Sequence, residues 1–245
     1  MRNAYGVLTA LALLLPAAPG AAQRMERAPE PARFFAGGSL QYASPQGDFA
    51  EQVDRGFGLG GHGLFKIDQA GWLGLRLDGG FLVYGDESYR VPLSSTIGGR
   101  VMVDVNTNNT IAHLGFGPQI GMPTGAVRPY LGGTVGLSYF ATTSSVKGDD
   151  SGTFASDTNY DDLTLAFGGL GGLYIPLRSG PAPISLDLSA RYHRNGEVSY
   201  LKEGSIIDNQ DGSISFDPIR SEADVLTFHI GVSIGIASGQ EDRSR

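Results

Sequence analysis

The chain has 245 residues, with 18 basic and 25 acidic side chains, a net charge of −7 and no cysteine. The missing cysteines exclude a disulfide framework and any thiolate metal site, and the acidic balance excludes charge-driven binding of nucleic acid. Hydrophobic residues are only 41%, which fits a soluble protein and equally a β-barrel in lipid, whose apolar residues alternate with polar ones; 37 Gly without a repeat period suit curved strands and turns better than helices.

Residues 1–22 join a single basic residue, Arg2, to an apolar run from Gly6 to Leu15 and to small residues ending in Gly20-Ala21-Ala22. This is the pattern of a cleaved secretory signal, with cleavage after Ala22, and the run is too short for a spanning helix. Its loss takes one Arg and no acid, lowering the basic count from 18 to 17 against 25 acidic, and the net charge from −7 to −8. Residues 23–32, QRMERAPEPA, read as a flexible lead-in.

From Arg33 onward, eight segments alternate apolar and polar residues with the period of a strand. Segment 34–43 places Phe34, Ala36, Leu40 and Tyr42 on one face, and 56–67 does so with Phe57, Leu59, Phe65 and Ile67. Segment 72–84 sets Leu73, Leu75, Leu77, Phe81 and Val83 against Arg76 and Asp78; 110–121 sets Ala112, Leu114, Phe116 and Ile120 against His113 and Gln119. Segments 128–140 and 162–175 oppose Leu131, Val135 and Leu137, then Leu163, Leu165 and Phe167, to Thr, Ser and Gly. In 184–193, ISLDLSARYH, the apolar set is Ile184, Leu186, Leu188, Ala190 and Tyr192, and the other face carries Asp187, Arg191 and His193. Segment 225–236 sets Leu226, Phe228, Ile230, Val232, Ile234 and Ile236 against Thr227, His229 and Ser233.

Short links at 68–71, 123–127 and 176–183 alternate with longer polar ones at 44–55, 85–109, 141–161 and 194–224. The expected fold is all-β: an eight-stranded antiparallel up-and-down transmembrane β-barrel over residues 33–237, with short periplasmic turns and long extracellular loops. Within the link at 85–109, RVMVDV (Arg100–Val105) puts its valines on odd positions while the next strand uses even ones, which predicts a turn or bulge at Asn106–Asn109.

Which face points outward follows from volume and charge. The lumen of eight strands has room for side chains or one small ligand, too little for the apolar residues of every strand, whereas Gly, Ser, Thr and a few charges fill it. The apolar face then meets lipid, where an Arg or Lys at the midplane costs about 2–4 kcal/mol. Arg76, Asp78, Asp187 and Arg191 point inward and are expected to pair in a lumenal network, since unpaired buried ions are heavily penalised. His62, His113, His193 and His229 take the same inward phase. Trp72, Tyr84, Tyr130 and Tyr174 also count as inward, yet their positions at strand ends place them in an aromatic girdle if bulges shift the register.

The phrases FFAGGSLQYASPQGDF (Phe34–Phe49) and VRPYLGGTVGLSYF (Val127–Phe140), with the signal and the alternating strands, resemble an OmpA-type outer-membrane barrel and the bacterial "outer membrane protein beta-barrel domain" families. The resemblance implies residence in the bacterial cell outer membrane, contact with lipid and lipopolysaccharide, passage through the outer-membrane assembly machinery, and a monomer without nucleic-acid partners. Its functions range over structural and surface-interaction proteins, small porins with a gated lumen, and barrel-embedded lipid A hydrolases. The polar tail 238–245, SGQEDRSR, stands where many such barrels end in an aromatic residue, and with no second domain following, no cell-wall anchoring is expected.

Other motifs yield to plainer readings. GFGLGG (Gly56–Gly61) has dinucleotide-loop spacing but lies inside a strand pattern, where no helix N-terminus can meet a phosphate. DNQDGS (Asp208–Ser213) lacks the order and closing Glu of an EF-hand loop, and with Asp149, Asp150, Asp157, Asp161 and Asp162 reads as acidic loop surface. In RYHRNG (Arg191–Gly196), His193 and Asn195 match the His-x-Ser-Asn stretch of lipid A deacylases, but Arg194 replaces the Ser nucleophile. No catalytic residue, metal or cofactor is therefore expected, and the favoured expectation is a structural or surface-interaction barrel acting through acidic loops.

Overall fold

Alternation of apolar and polar residues builds strands that close into a single ring. The computed structural model describes residues 32–92, 102–148, 153–202, 205–208 and 214–236. The signal at 1–22, most of the lead-in, residues 149–150, 209–213 and the tail at 238–245 lie outside the described residues. In chain order the elements are β1 (Phe34–Pro45), a 3-10 turn (Gly47–Glu51), β2 (Gly56–Lys66), β3 (Leu73–Pro92), β4 (Met102–Gly121), β5 (Arg128–Gly148), β6 (Thr153–Arg178), β7 (Ile184–Asn195), β8 (Glu197–Tyr200), β9 (Ile206–Asp208), β10 (Ile214–Phe216), β11 (Ile219–Glu222) and β12 (Val225–Ile236). The barrel order is β1-β12-β7-β6-β5-β4-β3-β2, every neighbouring pair is antiparallel, and β1 closes against β12 from Phe34↔Ile236 to Pro45↔Val225. Two small hairpins, β8 with β11 and β9 with β10, fill the last long connection.

Three of the ring's connections are tight turns, and each contains a glycine in the left-handed region: Gly71 (φ 77°), Gly125 (φ 114°) and Gly180 (φ 121°). An L side chain is disfavoured there. The first turn is also tied by Asp68, whose Oδ2 and Oδ1 accept from the backbone N–H groups of Trp72 at 3.0 Å and Leu73 at 2.8 Å.

The apolar face points outward. Leu59 is 64% exposed, Leu131 66% and Ile230 55%, whereas Arg76 and Asp187 are buried at 4% and 3%. An aromatic patch on this face, at the end away from the tight turns, joins Tyr42 to Phe57, 5.4 Å between ring centres, and to Phe228 at 6.4 Å.

Two expectations need correction. The connections at 85–109 and 141–161 are largely strand, for β3–β6 run on past the barrel as a four-stranded sheet that pairs Gly85–Pro92 with Met102–Asn109 and Ala141–Gly148 with Thr153–Asp161. Their Thr, Ser and Asn residues are polar on both faces, so the alternation that marks the barrel strands is missing. The bulge foreseen at Asn106–Asn109 lies instead on the neighbouring strand: β4 is continuous with odd residues inward throughout, and the register steps from Val83↔Thr110 to Gly85↔Asn109, leaving Tyr84 as the extra residue of β3. β6, with 26 residues, has a contour of roughly 85 Å at about 3.4 Å per residue. Tilted by ~45°, it rises roughly 60 Å against an apolar band about 25 Å tall.

Candidate functional site: the closed lumen

Small residues on the inner face create the space that polar side chains occupy. Gly80 faces His113 in direct register, and Gly37 faces His62. A Cβ at Gly80 would stand 2.8 Å from His113 Nε2 and 2.9 Å from Gln41 Nε2, too close for either. Glycine there is thus a packing requirement of the lumen.

At mid-height, Arg76 Nε donates to Asp78 Oδ1 at 2.6 Å, and Arg191 Nη2 reaches the same oxygen at 2.5 Å. Arg76 Nη1 also donates to Gln119 Oε1 at 3.0 Å and to the Tyr174 hydroxyl at 3.1 Å. Asp187 is held differently from the paired arrangement expected for it: Tyr130 donates its hydroxyl to Oδ1 at 2.6 Å, and His62 Nδ1 lies 3.9 Å from Oδ2. Tyr130 and Tyr174 stack with centres 4.4 Å apart, and the Arg76 guanidinium lies 5.7 Å from the Tyr130 ring. Two Arg and two Asp balance in charge, and six strands, β2 to β7, contribute to the cluster.

The family model of the outer membrane protein beta-barrel domain matches residues 8–234. The chain belongs to this family. Among solved structures, this outer-membrane barrel is similar to Neisserial surface protein A, at 14% identity and a TM-score of 0.45, over 84% of this chain and 98% of that one. It is similar to Ail, the attachment invasion locus protein of Yersinia pestis, at 14% identity and 0.45, over 83% and 98%. A major outer membrane protein of Thermus thermophilus gives 14% identity and 0.39, over 81% and 98%. No curated protein matches the chain.

In this outer-membrane barrel the turn end is periplasmic and the β3–β6 extension stands on the outside. The histidines line the inner wall without converging: the His113 and His193 rings are 4.7 Å apart, His229 bonds Thr227 Oγ1 at 2.8 Å and approaches Ser39 at 3.4 Å, and His62 Nε2 meets Ser233 at 3.3 Å. Two voids of about 10 Å³ each touch this layer, one beside Arg76, Asp78 and His62, the other between His113 and His193. Each has the volume of one water molecule. Among the described residues no group of three or more His, Asp or Glu is placed to hold a metal ion.

Tyr84, Tyr130 and Tyr174 are interior residues, which corrects their expected place in the girdle; no bulge shifts Tyr130 or Tyr174, and the strict inward count gives their true position. Trp72 is exposed at the turn end. GFGLGG lies wholly within β2, Arg194 is exposed with Nη2 4.0 Å from Glu222, and Asp162 serves the backbone, accepting from the N–H of Leu163 and of Ser199 at 2.8 Å each.

A second closure has no counterpart in the expected site. At the outer mouth Phe49, on the 3-10 turn, drops between the strands and packs edge-on against Tyr200 at 5.0 Å, Tyr84 at 5.5 Å and Phe140 at 6.3 Å. Leu82, Ile111, Val198 and Val225 complete this apolar cluster. Lys202 Nζ, donating to Gln52 Oε1 at 2.6 Å, pins the loop that carries Phe49. The signal was present in the sequence as inward-phase Leu82, Ile111 and Phe140, apolar where neighbouring inward residues are polar.

Proposed function

We propose that this chain is a non-conducting, non-enzymatic outer-membrane protein that works through its outer surface. It is exported by the segment 1–22, inserted by the outer-membrane assembly machinery, and monomeric among lipid and lipopolysaccharide. The observation that carries the reading is the double block of the lumen: ion-paired side chains span its middle, and the aromatic cluster around Phe49 fills its outer mouth. Four strands meanwhile continue outward and carry Asp86, Asp104, Asp157 and Asp161, which outnumber Arg90 and Lys147 on the same extension, and this net negative balance favours a partner of net positive charge.

The lumen is tested by adding the refolded protein to a planar bilayer. No unitary current steps are expected; steps that persist in the purified protein would favour a small gated pore instead. For the outer surface, nanodiscs carrying the protein should be retained on a polylysine matrix more than empty nanodiscs, and the excess should vanish in the Asp86→Asn/Asp104→Asn/Asp157→Asn variant. Lipid A from cells overproducing the protein should keep its mass; a lost acyl chain would overturn the non-enzymatic reading.

A further inference from the structure

Below the Arg76–Asp78 pair the barrel opens toward the periplasm in a vestibule of about 390 Å³. Its wall is apolar where Phe35, Leu64, Pro123 and Pro183 face inward, its inner end is Tyr174, and Ser185 and Ser233 lie on its sides. Lys66 at the end of β2, Arg128 at the start of β5 and Arg178 at the end of β6 also line it, and among the described residues no acidic side chain does. Lys66 lies within electrostatic reach of Asp68, which attracts it, and of Arg128, which repels it more weakly. The nearby Asp68 carboxylate is occupied by two backbone N–H groups of its own turn. Three cations thus ring the rim of a concave apolar surface of ligand-binding size, while the outer closure leaves this chamber open to one compartment only.

We propose that the vestibule binds a small amphipathic anion from the periplasmic side, an alkyl chain ending in a carboxylate. The carboxylate sits among Lys66, Arg128 and Arg178, where the planar guanidinium groups match its two oxygens. The chain lies against Phe35, Leu64 and Pro183 and ends below Tyr174. Simple attraction of these cations to phospholipid headgroups would need no inward-facing apolar wall. This site concerns the face opposite to the one in the functional reading and stands or falls independently of it.

The test is equilibrium dialysis of labelled decanoate against the refolded full-length chain in phosphatidylcholine nanodiscs, with empty nanodiscs subtracted. Saturable binding near one equivalent is expected, with decanol at least tenfold weaker and inorganic phosphate unable to displace decanoate at equal concentration. The Lys66→Gln/Arg128→Gln/Arg178→Gln variant should lose at least tenfold in affinity. Ser185→Phe, which keeps every charge and fills the chamber, should abolish binding, and the gel shift between boiled and unboiled samples reports that each variant is folded. Uptake that does not saturate, or equal affinity in wild type and in folded Ser185→Phe, overturns the proposal. Efficient displacement by phosphate overturns its apolar half.

Discussion

Asp78 and Arg191 stand on diametrically opposite strands: β3 and β7 are four places apart in a ring of eight, and Arg191 Nη2 lies 2.5 Å from Asp78 Oδ1. One ion pair therefore crosses the whole width of the barrel, and Arg76 converges on the same oxygen from Asp78's own strand. Removing the carboxylate in Asp78→Ala leaves two buried guanidinium groups without their shared anion. A loss of about 3–5 kcal/mol is expected, read by urea unfolding in lipid with the single Trp72 as reporter; Asp78→Asn should retain more of the stability.

The lipid band and the outer extension should respond oppositely to charge. Ile230→Arg, at the centre of the outward face of β12, should destabilise the barrel by ~2–4 kcal/mol. Asn106→Arg, outward on β4 above the bulge at Tyr84 and flanked in register by Ser88 and Ser145, should change stability by about 0.5 kcal/mol or less. Equal penalties in the same unfolding assay would place the extension in hydrocarbon.

The pairing of Gly80 with His113 predicts a rescue. Gly80→Ala alone crowds the His113 ring and should cost about 1–3 kcal/mol. His113→Ala combined with it should recover part of that loss, since contacting residues couple in a double-mutant cycle. Strict additivity would show that the ring does not occupy the space above Gly80.

The Asp68 turn carries a pH dependence. The Leu73 N–H, and after it the Trp72 N–H, donate to the carboxylate and hold its pKa below the usual 3.8. A depressed value in the folded state means that the stabilisation is present above the ordinary carboxyl pKa and is lost as pH falls through the lowered one. Amide resonances of Trp72 and Leu73 should thus stay unchanged from neutral pH down past 3.8 and move only in more acidic solution, and Asp68→Asn should remove that transition.

The barrel was legible because lipid imposes one rule on every strand: apolar side chains at alternate positions, small or polar ones between. That rule set the phase of Leu75, Arg76, Asp187 and Ile230 from sequence alone. It says nothing about depth, so Tyr130 and Tyr174, near strand ends, were placed in a girdle although their count pointed to the lumen. It also stops where lipid stops. Thr107 meets Ser144 at 2.8 Å and Asn109 meets Thr142 at 2.6 Å across β4 and β5, and such polar ladders read as loop because water accepts both faces. Which anion meets which cation inside the lumen depends on strand order around the ring, information absent from any single segment.

The extension grows from four consecutive strands while their four companions stop near the rim, so the molecule has a front and a back about its own axis. On one side a tall wall of sheet rises; the β8–β11 pair lies across the mouth at its foot, β8 against β5 and β6 and β11 against the 3-10 turn. Whatever approaches from outside the cell meets a different profile with each azimuth, and a barrel free to spin in the bilayer must turn to present its wall.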